Sequence, residues 1–404
     1  MRVLLVHNNY RVYGGAEVFV QEVARVLETH GHEVAFLASH EENSQSQWSA
    51  YFPRAPDYSR NRIAAVAQFP KLVYSMASKS SASKLVKEFK PDIVHCFAVY
   101  TKLTPSVLDA FRVAGVPVVC SLNDYKHICP NYKLFHHGKV CEDCRGRNFV
   151  HAIRNRCAHD SLLYSTASAM ESYAHRFLNV YRKNIQLFLF ASEFMAKKTE
   201  QFWGEDSFAW RLLRNPFDAP SHRVGDRYDP YAVYFGRLIE EKGVDTLVRA
   251  AALAHHIDVQ IVGDGPATRA LEDESRQLGL RNVTFHGEQW GPELDAIVGN
   301  CRFVVVPSLW HENFPYVIVQ AFARGKAVIG TNRGGIPELV QNGERGLVYE
   351  AGDAVQLASL MNELISDESK AREFGASAKK FADVEFNDDR FYTNLMRIYS
   401  EAMM

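Results

Sequence analysis

Residues 231–265 read YAVYFGRLIEEKGVDTLVRAAALAHHIDVQIVGDG. The run Tyr231–Gly236 is apolar and closes on a glycine, as a buried strand ending in a turn should. Gly243–His255 carries its apolar residues at helical spacing, and Val259–Gly263 is a second buried strand. Strand, helix and strand at this length form the βαβ unit of a parallel sheet. Short strands are expected again at Val283–His286, Phe303–Pro307 and Ala327–Gly330. Helices are expected to start near Pro266, Pro292, Pro315 and Ile336, since proline is tolerated in a first helical turn.

The same unit opens the chain. Arg2–His7 is a continuous apolar run, Ala16–His30 a helix with Gly31 at its C-cap, and His32–Ser39 the next strand. Further strands are expected at Pro91–Cys96, Val116–Ser121 and Ile185–Ser192. Between Asn123 and Tyr181 lies a His- and Cys-rich insert with weak periodicity, and such inserts are commonly functional. The proline-bearing stretch Arg214–Pro220 and the polar residues up to Pro230 suggest a linker. A chain of 404 residues is too long for one ordinary core. The expected architecture is therefore α/β, with two doubly wound domains in tandem. Residues 1–214, with the insert 123–181, make the first, and 215–404 the second. Ligands of such sheets lie at the C-terminal ends of strands, and two facing sheets would place them in a cleft. The last helix, Asp388–Met403, carries Phe391, Leu395, Ile398 and Tyr399 at helical spacing. It needs a surface to dock on, and the first domain is the candidate.

Net charge is −1 but uneven. Residues 1–214 hold 27 Lys and Arg against 19 Asp and Glu, and the remainder 19 against 28. A basic first half could face an anionic membrane or acceptor, or could be ordinary variation between domains. The basic, partly apolar region Phe69–Met76 with Lys79, Lys84, Lys87 and Lys90 is the candidate membrane contact; a solvated helix face is the alternative. A near-neutral balance without a recognition motif disfavours nucleic acid. No apolar run approaches the roughly 20 residues that span a bilayer. The N-terminus turns polar at His7–Asn9, too soon for a signal peptide. A cytoplasmic protein, working at the inner face of the membrane if it meets one, is expected.

The chemistry is expected at two strand ends. In Phe235–Gly243, Gly236 allows close backbone approach, and Arg237 and Lys242 bring two cations to a helix N-terminus, a fit for a diphosphate. In His311–Pro315, Glu312 can accept hydroxyl hydrogens, and Gln320 lies two helical turns further on the same side. Gly263-Asp264-Gly265 is a third glycine turn, readable as a dinucleotide fingerprint lacking its last glycine or as a structural turn.

These motifs, with Gly334-Gly335-Ile336-Pro337-Glu338, Gly14-Gly15-Ala16-Glu17 and Asn215-Pro216, resemble the retaining glycosyltransferases of family 4, which have the GT-B fold. The resemblance covers nearly the whole chain. It implies an enzyme that moves a sugar from a nucleoside diphosphate sugar, UDP by frequency in the family, to a glycan, lipid-linked or small-molecule acceptor. The first domain would bind the acceptor and the second the donor. It implies that Gly14 and Gly15 approach the diphosphate, that Arg237 and Lys242 neutralise it, and that Glu312 contacts the donor sugar. The amides of Asn313 and Phe314 would hold phosphate or sugar, and His286 would help frame the base. Catalysis in the family needs no metal cofactor. Two positions depart from it. Gln320 stands where relatives often carry a ribose-binding Glu, and Asn123 where many have a His that touches the donor sugar. Asn123 cannot ionise near neutral pH. A GT-B epimerase or phosphorylase, or a homologue that binds nucleotide without transfer, are the alternatives.

Cys129, Cys141, Cys144 and Cys157 approach the spacing of a four-cysteine zinc site, with His127, His136, His137 and His151 as replacement ligands. The alternatives are a structural zinc stapling the insert and four reduced thiols. Cys96, Cys120 and Cys301 sit in apolar strands and belong to the core.

Overall fold

The computed structural model describes residues 1–12, 14–41, 46–55, 69–97, 99–100, 102–225 and 227–404. Asp226, within the expected linker, lies outside them. The chain forms two compact units: Met1–Lys133 with Glu142–Pro216 and Phe391–Met404, and Leu134–Cys141 with Phe217–Arg390.

The first unit is built on a parallel sheet of six strands: β1 (Arg2–Val6), β2 (Glu33–Leu37), β3 (Ile93–Cys96), β4 (Val118–Leu122), β7 (Leu187–Phe190) and β8 (Trp210–Leu212). Their order across the sheet is β2-β1-β3-β4-β7-β8. β3, β4 and β7 are buried along their whole length, which is why they are continuous apolar runs. The helix Gly15–Thr29 lays Phe19, Val20, Val23 and Leu27 on this sheet. Phe391, Leu395, Ile398 and Tyr399 of the last helix, Asp388–Met403, join the same core. A polar clasp fastens that helix: buried His95 on β3 bonds Tyr399 Oη and Ser121 Oγ, each at 2.8 Å. Burial holds His95 neutral by lowering its pKa to about 3. β8 was not expected from the sequence; it is a three-residue edge strand interrupted by the charge of Arg211.

The insert owes its weak periodicity to its backbone. Of twelve non-glycine residues with positive φ among those described, eight lie within 123–181, including Tyr132, Leu134, His137 and Arg147. Regular helix appears only at Val150–Arg154 and Leu162–Phe177.

The second unit holds a parallel sheet of β9 (Tyr231–Phe235), β10 (Asp258–Val262), β11 (Val283–Phe285), β12 (Phe303–Val306), β13 (Ala327–Thr331) and β14 (Gly346–Tyr349), in the order β11-β10-β9-β12-β13-β14. A two-stranded hairpin, β5 (Phe135–His136) and β6 (Lys139–Val140), belongs to this unit. Each sheet is a Rossmann-like parallel sheet, and the pair constitutes the GT-B fold. In the second sheet the chain runs from β9 outward through β10 and β11, then returns beside β9 with β12. The loops after β9 and β12 therefore leave the sheet side by side, at the point where strand order reverses and ligands of such sheets bind.

Candidate functional site

The loops at that reversal are stitched together by backbone. Gly243, with φ +65°, lies so close to the loop after β12 that a Cβ would stand 2.2 Å from the Pro307 carbonyl oxygen. Leu309 N–H donates to Glu241 O at 2.9 Å. Gly334, with φ +60°, packs on the other side, where a Cβ would fall 2.1 Å from Glu312 O, and Gly335 N–H donates to that oxygen at 2.7 Å. Only glycine fits either place.

This frame fixes Glu312. Its carboxylate is buried and takes Lys242 Nζ at 2.6 Å and Ser308 Oγ at 2.7 Å on the same oxygen, Oε1. Burial pulls its pKa up, but the charge and hydrogen bond of Lys242, with the Trp310 and Ser308 side chains, outweigh it, so the group is held below its ordinary value. Lys242 and Glu312 are thus an ion pair bridging the loops after β9 and β12. Arg237 differs. Its backbone oxygen accepts from Tyr234 Oη at 2.8 Å, while its guanidinium is exposed and, among the described residues, in no ion pair. One cation is positioned by a buried anion, and the other is available to an incoming ligand.

The helix Tyr316–Ala323 starts beside this pair. Ile318, Val319, Ala321 and Phe322 face the core, which leaves Tyr316, Val317 and Gln320 on the opposite face. Val317 reaches the loop after β9, 4.0 Å from where a Gly236 Cβ would stand. Gln320, one turn on, therefore shares that face. Asn313 and Phe314 are buried just before the helix, and Phe314 packs edge-on against Tyr316 and Phe386. Gly236 itself has φ +142°, a conformation that favours glycine.

Gly263 has a packing role that spacing could not reveal. With φ +133°, its Cβ would meet the Gly236 carbonyl oxygen at 1.9 Å, and a Gly265 Cβ would meet Leu238 O at 2.3 Å. The loop after β10 is therefore pressed onto the loop after β9. Gly263 N–H donates to Gly287 O at 2.7 Å, and His286 hydrogen-bonds Gln260 across the adjacent strands. Both residues brace the loop that carries Arg237.

In the first unit, strand order reverses between β1 and β3. Gly14 and Gly15 follow β1 and are exposed. Among the described residues a Cβ on Gly15 would meet nothing within 4 Å, and one on Gly14 only Glu17 Oε2 at 3.9 Å. Packing does not ask for these glycines; free space above a helix N-terminus is what a ligand's close approach would require. Beside them lies a cluster the sequence did not show. Asn9 donates to Glu17 Oε1 at 2.8 Å and accepts from Lys102 Nζ at 2.6 Å, across 93 residues of chain. Asn123 directly follows β4 and is half-buried. Its neighbour Asp124 accepts from Tyr100 Oη at 3.0 Å and Lys126 N–H at 2.9 Å. Burial raises the Asp124 pKa against the pull of those bonds.

The zinc expectation finds no support. Among the described residues no three His, Cys, Asp or Glu side chains gather as a metal site, so Cys129, Cys141, Cys144 and Cys157 do not assemble one, with or without the nearby histidines. Some of the expected ligand atoms have other contacts. Cys129 Sγ bonds Asn131 Oδ1 at 2.9 Å and His127 Nε2 bonds Thr199 Oγ1 at 2.8 Å. The insert is secured instead by contacts such as Arg147 Nη2 on Trp203 O at 2.6 Å.

Two parallel sheets, each reversing beside a glycine-bearing strand-to-helix loop, define a glycosyltransferase of the GT-B class, and sequence comparison agrees. The family description "Glycosyltransferase Family 4" matches residues 13–219, and "Glycosyl transferases group 1" matches residues 223–381. The chain belongs to glycosyltransferase family 4. An uncharacterized 42.6 kDa protein in the cps region of Klebsiella pneumoniae is 25% identical over 363 residues, 84% of this chain and 87% of that one. A GDP-mannose-dependent alpha-(1-6)-phosphatidylinositol monomannoside mannosyltransferase of Mycobacterium tuberculosis is 30% identical over 185 residues, 43% of this chain and 48% of that one. For this and other curated relatives the match spans about half their length. In fold, Anabaena HepE in complex with UDP superposes with a TM-score of 0.67 at 18% identity, covering 99% of this chain and 100% of that one.

Proposed function

We propose that the protein transfers a sugar from a nucleoside diphosphate sugar to a hydroxyl of a glycan, lipid-linked or small-molecule acceptor, with retention of configuration. The Lys242–Glu312 ion pair across the strand-order reversal, with exposed Arg237 next to it, carries the reading. Departure of the sugar leaves growing negative charge on the β-phosphate. Lys242, already held in place by Glu312, and Arg237 would meet that charge with little reorganisation, the arrangement that lowers such barriers most. Glu312 holds Lys242 through one oxygen, Oε1, and its other oxygen is the candidate contact to a donor-sugar hydroxyl. Gln320, on the helix face beside Gly236, would meet the ribose, and Gly14 and Gly15 leave room for a phosphate at their own helix N-terminus.

UDP is the proposed nucleotide. The UDP complex of the structural neighbour supports it, while the mannosyltransferase relative uses GDP-mannose, so the base is the first property to test. Thermal shift with UDP-, GDP- and ADP-sugars reads it directly: a shift with UDP-sugars alone is expected. A protein stabilised only by GDP- or ADP-sugars would overturn the choice of base, and one stabilised by none would overturn the donor site. No helix among the described residues is long and apolar enough to cross a membrane. A peripheral position at the inner membrane face is proposed, where a lipid-linked acceptor would be met.

A further inference from the structure

The helix Leu162–Phe177 is amphipathic the wrong way round. Its buried residues are Ser165, Ala169, Glu171 and His175. Leu163, Met170 and Phe177, spaced by seven residues, share one side of the helix with Ala167 and Ala174, and that side faces outward. Leu163 is 49% exposed, Met170 51% and Phe177 89%, and Leu162, Tyr164, Tyr173 and Leu178 widen the patch. The polar face is what anchors the helix. Glu171 takes Lys126 Nζ at 2.8 Å, His175 Nε2 lies 2.9 Å from Val73 O, and Ser165 Oγ accepts Ala158 N–H at 2.9 Å. The apolar side is thus left for a partner; contiguous apolar surface of this kind marks an interaction site.

Charge around the patch selects the partner. Arg154 and Arg156 are exposed near one end of the helix, and Arg176 and Lys183 near the other. The acids within residues 145–183 are Asp160 and Glu171, and Glu171 is turned inward to Lys126. At the C-terminal end Arg147, Arg176 and Arg182 line one pocket with Phe149 and Trp203. Arg147 bonds Phe202 O at 3.2 Å and Trp203 O at 2.6 Å, and Arg176 bonds Arg147 O at 2.8 Å. Among the described residues no carboxylate pairs with any of the three. Phe149 stacks edge-on against Tyr173 at 5.0 Å, but the pocket, lined also by Ser172 and His175, lies on the anchoring side of the helix, so the arginines that border the stripe are the exposed Arg154 and Arg156.

We propose that this face docks on an anionic lipid bilayer, with Leu163, Met170 and Phe177 entering the interface and the exposed Arg154 and Arg156 meeting lipid phosphates. An apolar stripe flanked by arginines is what the boundary between acyl chains and anionic headgroups accommodates. The helix Met76–Phe89, which carries Lys79, Lys84 and Lys87 of the membrane candidate read from the sequence, turns Ala82, Leu85, Val86 and Phe89 inward. The proposal extends the membrane-face reading above, yet vesicle binding requires neither donor nor acceptor. Failure of docking and failure of sugar transfer are therefore read separately.

The test is sedimentation of the full chain with vesicles of phosphatidylcholine alone, or mixed about 2:1 with phosphatidylglycerol. Wild type is expected on the mixed vesicles and not on the neutral ones. The double variant Met170→Ser/Phe177→Ser and the variant Arg154→Glu/Arg156→Glu are each expected to bind about tenfold more weakly or worse, since each removes one of the two attractions. Their thermal unfolding and solution mass should match wild type. Equal binding to neutral vesicles, full binding by the serine variant, or a wild-type dimer that the serine variant dissolves into monomers would each overturn the proposal.

Discussion

The two strand-order reversals are built in opposite ways. In the second unit the glycines are demanded by the protein itself: Gly243, Gly263 and Gly334 each touch another loop's backbone where any Cβ would collide. The result is a stiff frame holding one buried ion pair. In the first unit Gly14 and Gly15 touch almost nothing among the described residues, and side-chain bonds tie the polar cluster of Asn9, Glu17 and Lys102. A crowded glycine tells of packing, and an uncrowded one at a helix N-terminus leaves ligand approach as its physical reason. On the proposed reading, the donor contacts of the second unit are rigid, and the helix N-terminus of the first is adaptable.

The largest effect that could break this comparison is loss of transfer. Arg237→Ala should reduce turnover by about 100-fold or more while leaving the melting temperature unchanged, because its side chain is exposed. Lys242→Ala should lose as much activity and also destabilise the fold by about 2–4 kcal/mol, since it strands the buried Glu312. Steady-state kinetics beside thermal unfolding separates the two. If Arg237→Ala melted early or Lys242→Ala did not, the division into an available and a structural cation would be wrong.

Next come the glycines. Gly334→Ala is expected to cost about 2–4 kcal/mol through the clash with Glu312 and the left-handed backbone. Gly15→Ala should change stability by less than about 1 kcal/mol and instead raise the KM for donor. Urea titration of both variants checks the contrast.

Acid should soften the units unequally. His95 and His127 have folded pKa values lowered to about 3, below their ordinary 6.5, because both are buried. The unfolded chain therefore binds more protons, and the stability these groups support is lost progressively as pH falls from about 6.5 toward 3. Glu312, also depressed, contributes stability that is fully present above its ordinary value of 4.5 and is lost progressively as pH falls from there through its lowered value. Hydrogen exchange at pH 5 against pH 7 should rise around His95 before it rises around Glu312. The smallest effect is Gln320→Glu, which should tighten nucleotide binding about threefold to tenfold if the side chain meets a ribose. Unchanged affinity would remove Gln320 from the site.

Much of the scaffold is visible in the residues because both-face-buried strands must be continuous apolar runs, as at Leu4–Val6 and Val304–Val306. Arg237, Lys242 and Glu312 stand out because charges at the ends of such runs are conspicuous. Their pairing is not visible, since Lys242 and Glu312 are 70 residues apart and meet only when β12 returns beside β9. The Asn9–Lys102 contact is hidden for the same reason. β14 begins after the charged Glu344–Arg345 and lacks the long apolar run that marks the central strands. In the insert, residues such as Tyr132, Leu134 and His137 adopt positive φ, so periodicity fails and cysteine spacing says little about distance. Composition points to a basic membrane face, but which helix turns its apolar side outward depends on polar anchors such as Glu171–Lys126 that only tertiary structure supplies.

The most direct test of the donor site is calorimetric titration of UDP into wild type and Arg237→Ala, each shown to be folded by thermal unfolding. Stoichiometric binding to wild type that weakens by about tenfold or more in Arg237→Ala is predicted, the size of a lost charge-assisted phosphate contact. Equal binding by both proteins would contradict it.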